Sequence, residues 1–259
     1  MKIITLVKQV PDTWSERRLD PETGRVDRAV SEAVIDEISE RAIEAALALK
    51  DADKSTTVTL LTMGPAGALD ALRKGLSMGA DDAVHIRDDA LQGADVTITS
   101  RVIAAALLRR PWDLVIAGNE STDGRGGVLP AMLAERLGVA SATGLDSFEL
   151  TGGAAGGDLV GRRSADGVDE VLRLGFPSVV SITERMPDAR FPNFRGILGA
   201  KKKPVEVLTA ADLGLTDLHP AVSVVSVAER PPRQAGTRII DDGSAAAALA
   251  DFFASRRLI

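Results

Sequence analysis

The chain has 259 residues, 45% hydrophobic and 26% charged, with a formal net charge of −6. That length buries a full core near the upper size of one domain, and the acidic balance excludes a nucleic-acid binder working through bulk electrostatics. With no cysteine and two histidines, the chain has no disulfide, no cysteine-ligated iron–sulfur cluster and no expected metal site. No apolar run approaches the roughly 18 to 20 residues of a membrane span, and the N-terminus enters a strand directly, so membrane insertion is not expected and a cytoplasmic address is.

In chain order, Lys2 to Val7 reads as a buried strand, broken at Pro11 within VKQVPD. Residues Ser15 to Arg28 are charged and punctuated by proline and glycine, which predicts a loop or hairpin. A long amphipathic helix follows, with Ile35, Ile38, Ala42, Ala45 and Leu49 on one stripe. Thr57 to Thr62 is a β-branched strand with Met63-Gly64-Pro65 as its exit, and Leu69, Leu72 and Leu76 form the inner face of the next helix. Asp82 to Ile86 predicts a short strand and Thr97 to Leu108 a helix.

The stretch from Pro111 to Gly138 holds the strongest local signal. Trp112 to Ala117 has the apolar run of a buried parallel strand, and Val128 to Leu137 places Val128, Met132, Leu133 and Leu137 on one helical face. Between them, Gly118 to Gly127 is rich in glycine and small polar residues, which let a backbone approach a ligand at the start of a helix. A phosphate fits such a loop, and a helix cap with a tight Asp-Gly turn fits it equally well.

The alternation of strand and helix through residue 138 predicts an α/β fold, a doubly wound and mostly parallel sheet covered on both faces. Ligands of such sheets bind beyond the carboxyl ends of strands, so the loops after Leu6, Thr62 and Ala117 are expected to converge on one crevice. Beyond Gly138 the texture changes. Leu150 to Asp158 reads as a glycine-rich turn, and Leu159 to Leu174 as a small antiparallel hairpin around Ala165-Asp166-Gly167. Ser178 to Thr183 predicts a buried strand, and residues 185–203 an irregular segment ending in Lys201 to Lys203, a basic run expected to be solvated. A strand is expected in VSVVSV after Ala221, then a linker from Pro231 to Gly236 and a helix from Ser244 to Arg257. The expected boundaries are a main domain over 1–225, including segment 185–203, and a C-terminal arm over 226–259.

The chain has no G-x-G-x-x-G after its first strand, no G-x-x-x-x-G-K-[ST] and no G-x-S-x-G, which disfavours a Rossmann dehydrogenase, a triphosphate hydrolase or an α/β-hydrolase. His85 and His219 stand without partners and read as structural or exposed. No catalytic residue is expected.

The loop Gly118 to Gly127 with Asp123, followed by Ala134 and Leu137, resembles the signature of electron transfer flavoprotein beta subunits. Further stretches resemble that family in order: VKQVPD at 7–12, ERAIEAALALK at 40–50, MGPAGALDALRKGLSMGADDAVHI at 63–86, FPNFRGILGAKKKP at 191–204, ADLGL at 211–215 and PPRQAG at 231–236. The resemblance implies an adenine-nucleotide-binding, Rossmann-like sheet and an electron carrier without chemistry of its own. It implies a heterodimer with an alpha subunit that holds FAD, with AMP bound structurally here. The pair carries electrons from acyl-CoA and other dehydrogenases to a quinone-linked oxidoreductase of the membrane, in fatty acid oxidation among other routes.

Carried onto this sequence, the AMP site falls on Leu6, on Asp36, Glu37, Ile38 and Ser39, on Met63, and on the run from Glu120 to Ala131. That run comprises Glu120, Ser121, Thr122, Asp123, Gly124, Arg125, Gly126, Gly127, Val128, Leu129, Pro130 and Ala131. Backbone amides around Gly124 to Val128 are expected to meet the phosphate, with Arg125 as counter-charge and Asp123 as a helix cap or hydroxyl acceptor. No phosphate-gripping lysine is expected beside the loop. Family members commonly carry further acidic or amide residues after Asp123, where this chain has Gly124-Arg125-Gly126-Gly127-Val128. Some relatives hold a second FAD in this site and split electron pairs, an alternative within the class. A nucleotide-sensing or adenylating protein of the same fold is the alternative from another class.

The resemblance also places Thr13, Trp14 and Ile38 against the partner's flavin. It makes 185–203 the segment that docks dehydrogenases, with Phe194 as the apolar anchor among Phe191, Arg195 and Ile197. The C-terminal arm is expected to pack on the partner subunit.

Overall fold

The computed structural model describes residues 1–152, 157–228, 230–233 and 235–259. The chain divides into two compact units, Met1–Val225 and Ser226–Ile259.

In the first unit the strands are β1 (Lys2–Leu6), β2 (Gln9–Pro11), β3 (Ala33–Ile35), β4 (Thr57–Met63), β5 (Asp82–Ile86) and β6 (Leu114–Gly118). They continue with β7 (Ala140–Leu145), β8 (Ser147–Thr151), β9 (Asp158–Ala165), β10 (Val168–Leu174), β11 (Ser178–Ile182) and β12 (Val205–Leu208). The helices are α1 (Glu37–Ala52), α2 (Ala68–Met78), α3 (Val96–Leu107), α4 (Leu129–Leu137) and α5 (Phe194–Ala200). The second unit carries α6 (Ala245–Ser255).

Seven strands form one sheet in the order β12-β5-β4-β1-β6-β11-β7, and every neighbouring pair is parallel. The apolar runs of the strands explain why it is covered on both sides. In β1, β4 and β6, Ile3, Leu60, Leu114 and Ile116 face the cluster that holds Ile43, Leu72 and Leu76 of α1 and α2. The alternate residues Ile4, Leu61 and Val115 face Ile98, Val102 and Leu107 of α3 and Leu133 of α4. Successive side chains of a strand point to opposite faces, so an unbroken apolar strand needs helices on both.

The chain runs from β1 to β4 and β5 on one side, then returns through α3 to place β6 on the other side of β1. The strand order therefore reverses at β1 and β6, where loops diverge and leave a crevice. The antiparallel sheet β10-β9-β8 contains the expected hairpin, and its turn at Asp166 and Gly167 has φ of 53° and 78°, the left-handed pair that a two-residue turn requires. The middle of the predicted glycine-rich turn, residues 153–156, lies outside the described residues, as does residue 234 of the predicted linker.

Several expectations need correction. Ile35 belongs to β3, paired with Gln9 of β2, and the helix begins two residues later. Strands β7, β8 and β12 carry mixed or half-exposed patterns that alternation alone did not reveal. The VSVVSV stretch forms no strand: Val222, Val224 and Val225 are exposed. β-branched composition permits an extended chain, but a strand also needs a partner to bond with, and this stretch pairs with none of the described strands.

Segment 185–203 is more ordered than its composition suggests. Asn193 caps α5 by accepting the Gly196 amide at 2.8 Å. Arg190 grips Glu44 of α1 through two nitrogens at 2.7 and 2.8 Å and reaches Asp51 at 2.8 Å. Lys203 is not a solvated lysine. Its ammonium donates to the carbonyls of Leu76 and Ala80 at the end of α2, and burial lowers its pKa.

Candidate functional site: a crevice at the strand ends

The exits of β1, β4 and β6 do converge. Leu6, Met63 and Ala117 line one cavity of about 450 Å³, together with the start of α1 and the loop that leads into α4. The excursion from Asp12 to Glu32 closes back on the sheet through the β2–β3 pair, and its own turn is held by an antiparallel bridge between Leu19 and Val26.

The start of α1 is fixed against β1 by the backbone. The Lys8 amide donates to Ser39 Oγ at 3.2 Å, and the Asp36 amide donates to the Lys8 carbonyl at 2.9 Å. Ile38 then lies directly over Gly118, where an added Cβ would come within 2.6 Å of the Ile38 Cγ2. The bare glycine is what lets the helix start approach the β6 exit.

Loop 119–128 is stapled from below and from the side. Asp36 is 1% exposed and accepts the Thr122 amide at 2.9 Å through Oδ2, while its Oδ1 has no partner. Asp123 is also buried, its side chain 1% exposed, and binds Lys8 at 2.7 Å and Arg28 at 2.5 Å. Lys8 further donates to Ser121 Oγ at 3.0 Å, and Arg17 donates to the Thr122 carbonyl.

The two buried carboxyls titrate in opposite directions. For Asp36, burial pushes the pKa up, only partly offset by the Thr122 and Ile38 amides, and the charge of Asp123 adds to the rise. For Asp123, burial works against the charge, yet the hydrogen bond and charge of Lys8, with Ser121 and Arg28, outweigh it and hold the carboxyl far below the usual range. A raised acid stabilises the fold below its unfolded pKa and loses that contribution as pH rises through the folded value. Asp36→Asn, which keeps the bond to Thr122 and removes the buried charge, is therefore expected to raise the melting temperature of the nucleotide-free protein at pH 7. The gain should shrink toward pH 4. Parallel thermal melts across that range check it, and a variant less stable than the parent at pH 7 would show that the charge is compensated.

At the α4 end, the first helical bond runs from the Met132 amide to the Val128 carbonyl at 3.0 Å. The amides of Gly126, Gly127, Val128 and Leu129 take no partner among the described residues. Gly127 has φ of 67°, which turns the backbone into the helix, and Pro130 sits at the helix start without an amide to waste. Unpaired amides at the positive end of a helix are suited to an anion.

Of the expected site residues, Leu6, Asp36, Ile38, Ser39 and Met63 line the cavity. So do Glu120, Ser121, Gly124 and the run Gly126 to Pro130. Glu37, Thr122, Asp123, Arg125 and Ala131 do not. Val128 precedes α4 and is exposed, so the buried stripe of that helix is Pro130, Leu133 and Ala134 instead. Asp123 caps no helix: it is an internal counter-ion. Arg125, in the left-handed region at φ 47°, is exposed and lines no cavity, whereas Lys8 and Arg28 do. Lys8, 115 residues away in sequence, reaches this loop through Asp123 and Ser121.

Sequence reading also missed a wall built by α3. Val96, Thr99 and Ile103, one helical face, line the crevice opposite α1. Their i, i+3, i+7 spacing was readable, but nothing in the local pattern ties that face to the crevice. Ile38 belongs to this cavity, while Thr13 and Trp14 are exposed and line neither this cavity nor its neighbour. His85 is buried and bonds the Gly64 and Pro65 carbonyls through Nε2 at 3.0 and 3.1 Å, a structural role. No group of metal-ligating side chains occurs among the described residues, and none of the described helices is long and apolar enough to cross a membrane.

The fold and crevice define a parallel α/β protein with a cavity at its topological switch point. Comparison with known proteins gives the family. The electron transfer flavoprotein domain matches residues 23–213. The chain is 43% identical over 267 residues to the electron transfer flavoprotein subunit beta of Mycobacterium leprae (strain TN), covering 99% of each chain. It is 40% identical, with the same coverage, to the subunit beta of Mycobacterium bovis (strain ATCC BAA-935 / AF2122/97). It is also 32% identical to the caffeyl-CoA reductase-Etf complex subunit CarD of Acetobacterium woodii, over 93% of this chain and 92% of that one. The chain belongs to the electron transfer flavoprotein beta-subunit family, whose members carry electrons.

Proposed function

We propose that this chain pairs with an alpha subunit that holds FAD, binds AMP as a structural ligand, and docks dehydrogenases whose electrons pass to a membrane quinone oxidoreductase. The observation that carries the nucleotide reading is the crevice itself, with unpaired amides at the start of α4. Its volume suits a small organic ligand. The amides fit a phosphate. On this reading the chain acts as a carrier subunit rather than a catalyst. The redox chemistry belongs to the flavin. A cytoplasmic location agrees with the cysteine-free sequence.

On this reading residues 226–259 are the arm that meets the alpha subunit. Leu249 and Phe252 of α6 are exposed and supply an apolar surface for it. Trp14, 93% exposed on the turn after β2, together with Thr13 is where the chain would approach the partner's flavin.

A second reading within the family rests on a second cavity of about 260 Å³, which shares Lys8, Arg28 and Met63 with the first. A dinucleotide such as FAD would need room in both. Denaturing the co-expressed heterodimer and identifying the released nucleotides separates the two. One AMP and one FAD per heterodimer supports the first reading, two FAD without AMP supports the second, and the absence of any nucleotide overturns both.

Gly126 offers a clean variant. An added Cβ there meets nothing within 4 Å, so Gly126→Leu is expected to leave the nucleotide-free fold intact and to obstruct only the ligand. Ligand held by the native state alone adds about 2.7 kcal/mol at a hundredfold excess over Kd. The variant should therefore copurify with little AMP and lose the rise in melting temperature that added AMP gives the parent. Full AMP content in the variant would place the ligand elsewhere.

A further inference from the structure

We propose that Lys8 and Arg28 hold the phosphate charge of the nucleotide, with the buried carboxylate of Asp123 as the residue that positions both. This rests on the nucleotide reading of the crevice and deepens it.

Both cations lie on the ridge common to the two cavities, and each is about half exposed, 44% and 47%. Asp123, by contrast, is sealed, its side chain 1% exposed. A sealed carboxylate cannot meet an incoming anion, but it can fix the cations that do. An ammonium has three donors and a guanidinium five. Lys8 commits two, to Asp123 and Ser121, and Arg28 commits one, to Asp123. The remaining donors take no partner among the described residues. Two cations against one carboxylate leave the ridge positive.

The amides at the start of α4 orient an anion but carry no net charge, so the crevice needs a source of counter-charge. Arg125, the cation nearest to the loop in sequence, faces solvent. Arg28 comes from the excursion between β2 and β3, whose Arg17 also holds the Thr122 carbonyl. The excursion is thus part of the ligand site rather than decoration. Held in place before the ligand arrives, the two side chains lose little freedom on binding.

The test compares AMP with adenosine, which shares everything except the phosphate. Heterodimer stripped of nucleotide is titrated calorimetrically with each, for the parent, Lys8→Met, Arg28→Met and Asp123→Asn. Loss of one charge-assisted bond is expected to weaken AMP about 10- to 150-fold. Adenosine should be nearly unaffected, and its binding shows that each variant still folds around the crevice. Lys8→Arg, which keeps the charge, should retain AMP. Equal weakening of AMP and adenosine would mean that the pair merely shapes the crevice, and unchanged AMP affinity would mean that the phosphate lies elsewhere. Either result overturns the proposal. A parent that binds neither compound would instead refute the nucleotide reading itself.

Discussion

Replacing Phe191 and Phe194 together by alanine is expected to weaken docking of an electron-donating dehydrogenase while nucleotide, flavin and heterodimer stay in place. The two rings are 96% and 75% exposed, beside Ile197 and Leu198 at 48% and 50%, an apolar patch ringed by Arg195, Lys201 and Lys202. Burying one such ring in a partner contributes roughly 1.5 to 3 kcal/mol, or about 10- to 150-fold in affinity. Aromatic anchors among charges are the usual composition of a binding hot spot, and their effects are not additive. Single variants should therefore reveal which ring dominates. Phe194 is the position the family resemblance indicates, while Phe191 presents more surface. Reduction kinetics with an acyl-CoA dehydrogenase as donor, followed beside melting temperature, check this: the effect should appear in KM with an unchanged melt. Because neither ring contributes to the core, loss of stability in either variant would contradict the exposed placement.

The second large effect concerns how that patch is held. α5 rests on α2 at Gly196, where an added Cβ would fall well inside contact distance of the Ser77 carbonyl oxygen, a backbone atom that cannot turn aside. Gly196→Ala should lift α5 from α2 at about 1 to 3 kcal/mol, the usual range for overpacking. The amides of residues 194–200 should then exchange with solvent roughly 5- to 150-fold faster, and docking should weaken in step. Gly199, three residues on in the same helix, has open space where its Cβ would be. There, alanine removes a poor helix former and should stabilise α5 by up to about 1 kcal/mol. Opposite signs at two glycines of one helix form a sharp comparison, read by hydrogen exchange on the heterodimer. Similar behaviour at both would mean that α5 does not rest on Ser77 as described.

The Arg190 clamp acts on the same segment from the other side. Glu44, held by Arg190 against the burial that would raise it, has a lowered pKa. Its contribution to stability is accordingly present at neutral pH and is lost as pH falls through that lowered value. Arg41 adds a bond to the Met186 carbonyl and another to Asp188 at 2.5 Å. The patch is thus presented on a segment tied to α1 and α2 rather than on a free loop.

The sequence by itself determined the parallel sheet, because unbroken apolar runs such as ITL and LVIA demand cover on both faces and only strand–helix alternation supplies it. It also determined that the exits after Leu6, Thr62 and Ala117 share one side of the sheet, since parallel strands end on the same edge. The glycines before α4 were legible for the same local reason: short-range pattern fixes short-range backbone. What only the tertiary structure decided were the groups that meet across long stretches of chain. The Lys8–Asp123 pair spans 115 residues and the Arg28–Asp123 pair 95, and no periodicity connects them. Asp123 read as a cap from its neighbours in sequence, and Arg125 as the counter-charge from its nearness to the loop. Burial instead set Asp123 beside Lys8 and Arg28, since a sealed carboxylate takes whatever cations the fold brings to it, while Arg125 lies exposed. Val222 to Val225 failed as a strand for the converse reason: composition allows an extended chain, while only pairing with another strand, a tertiary matter, makes it one.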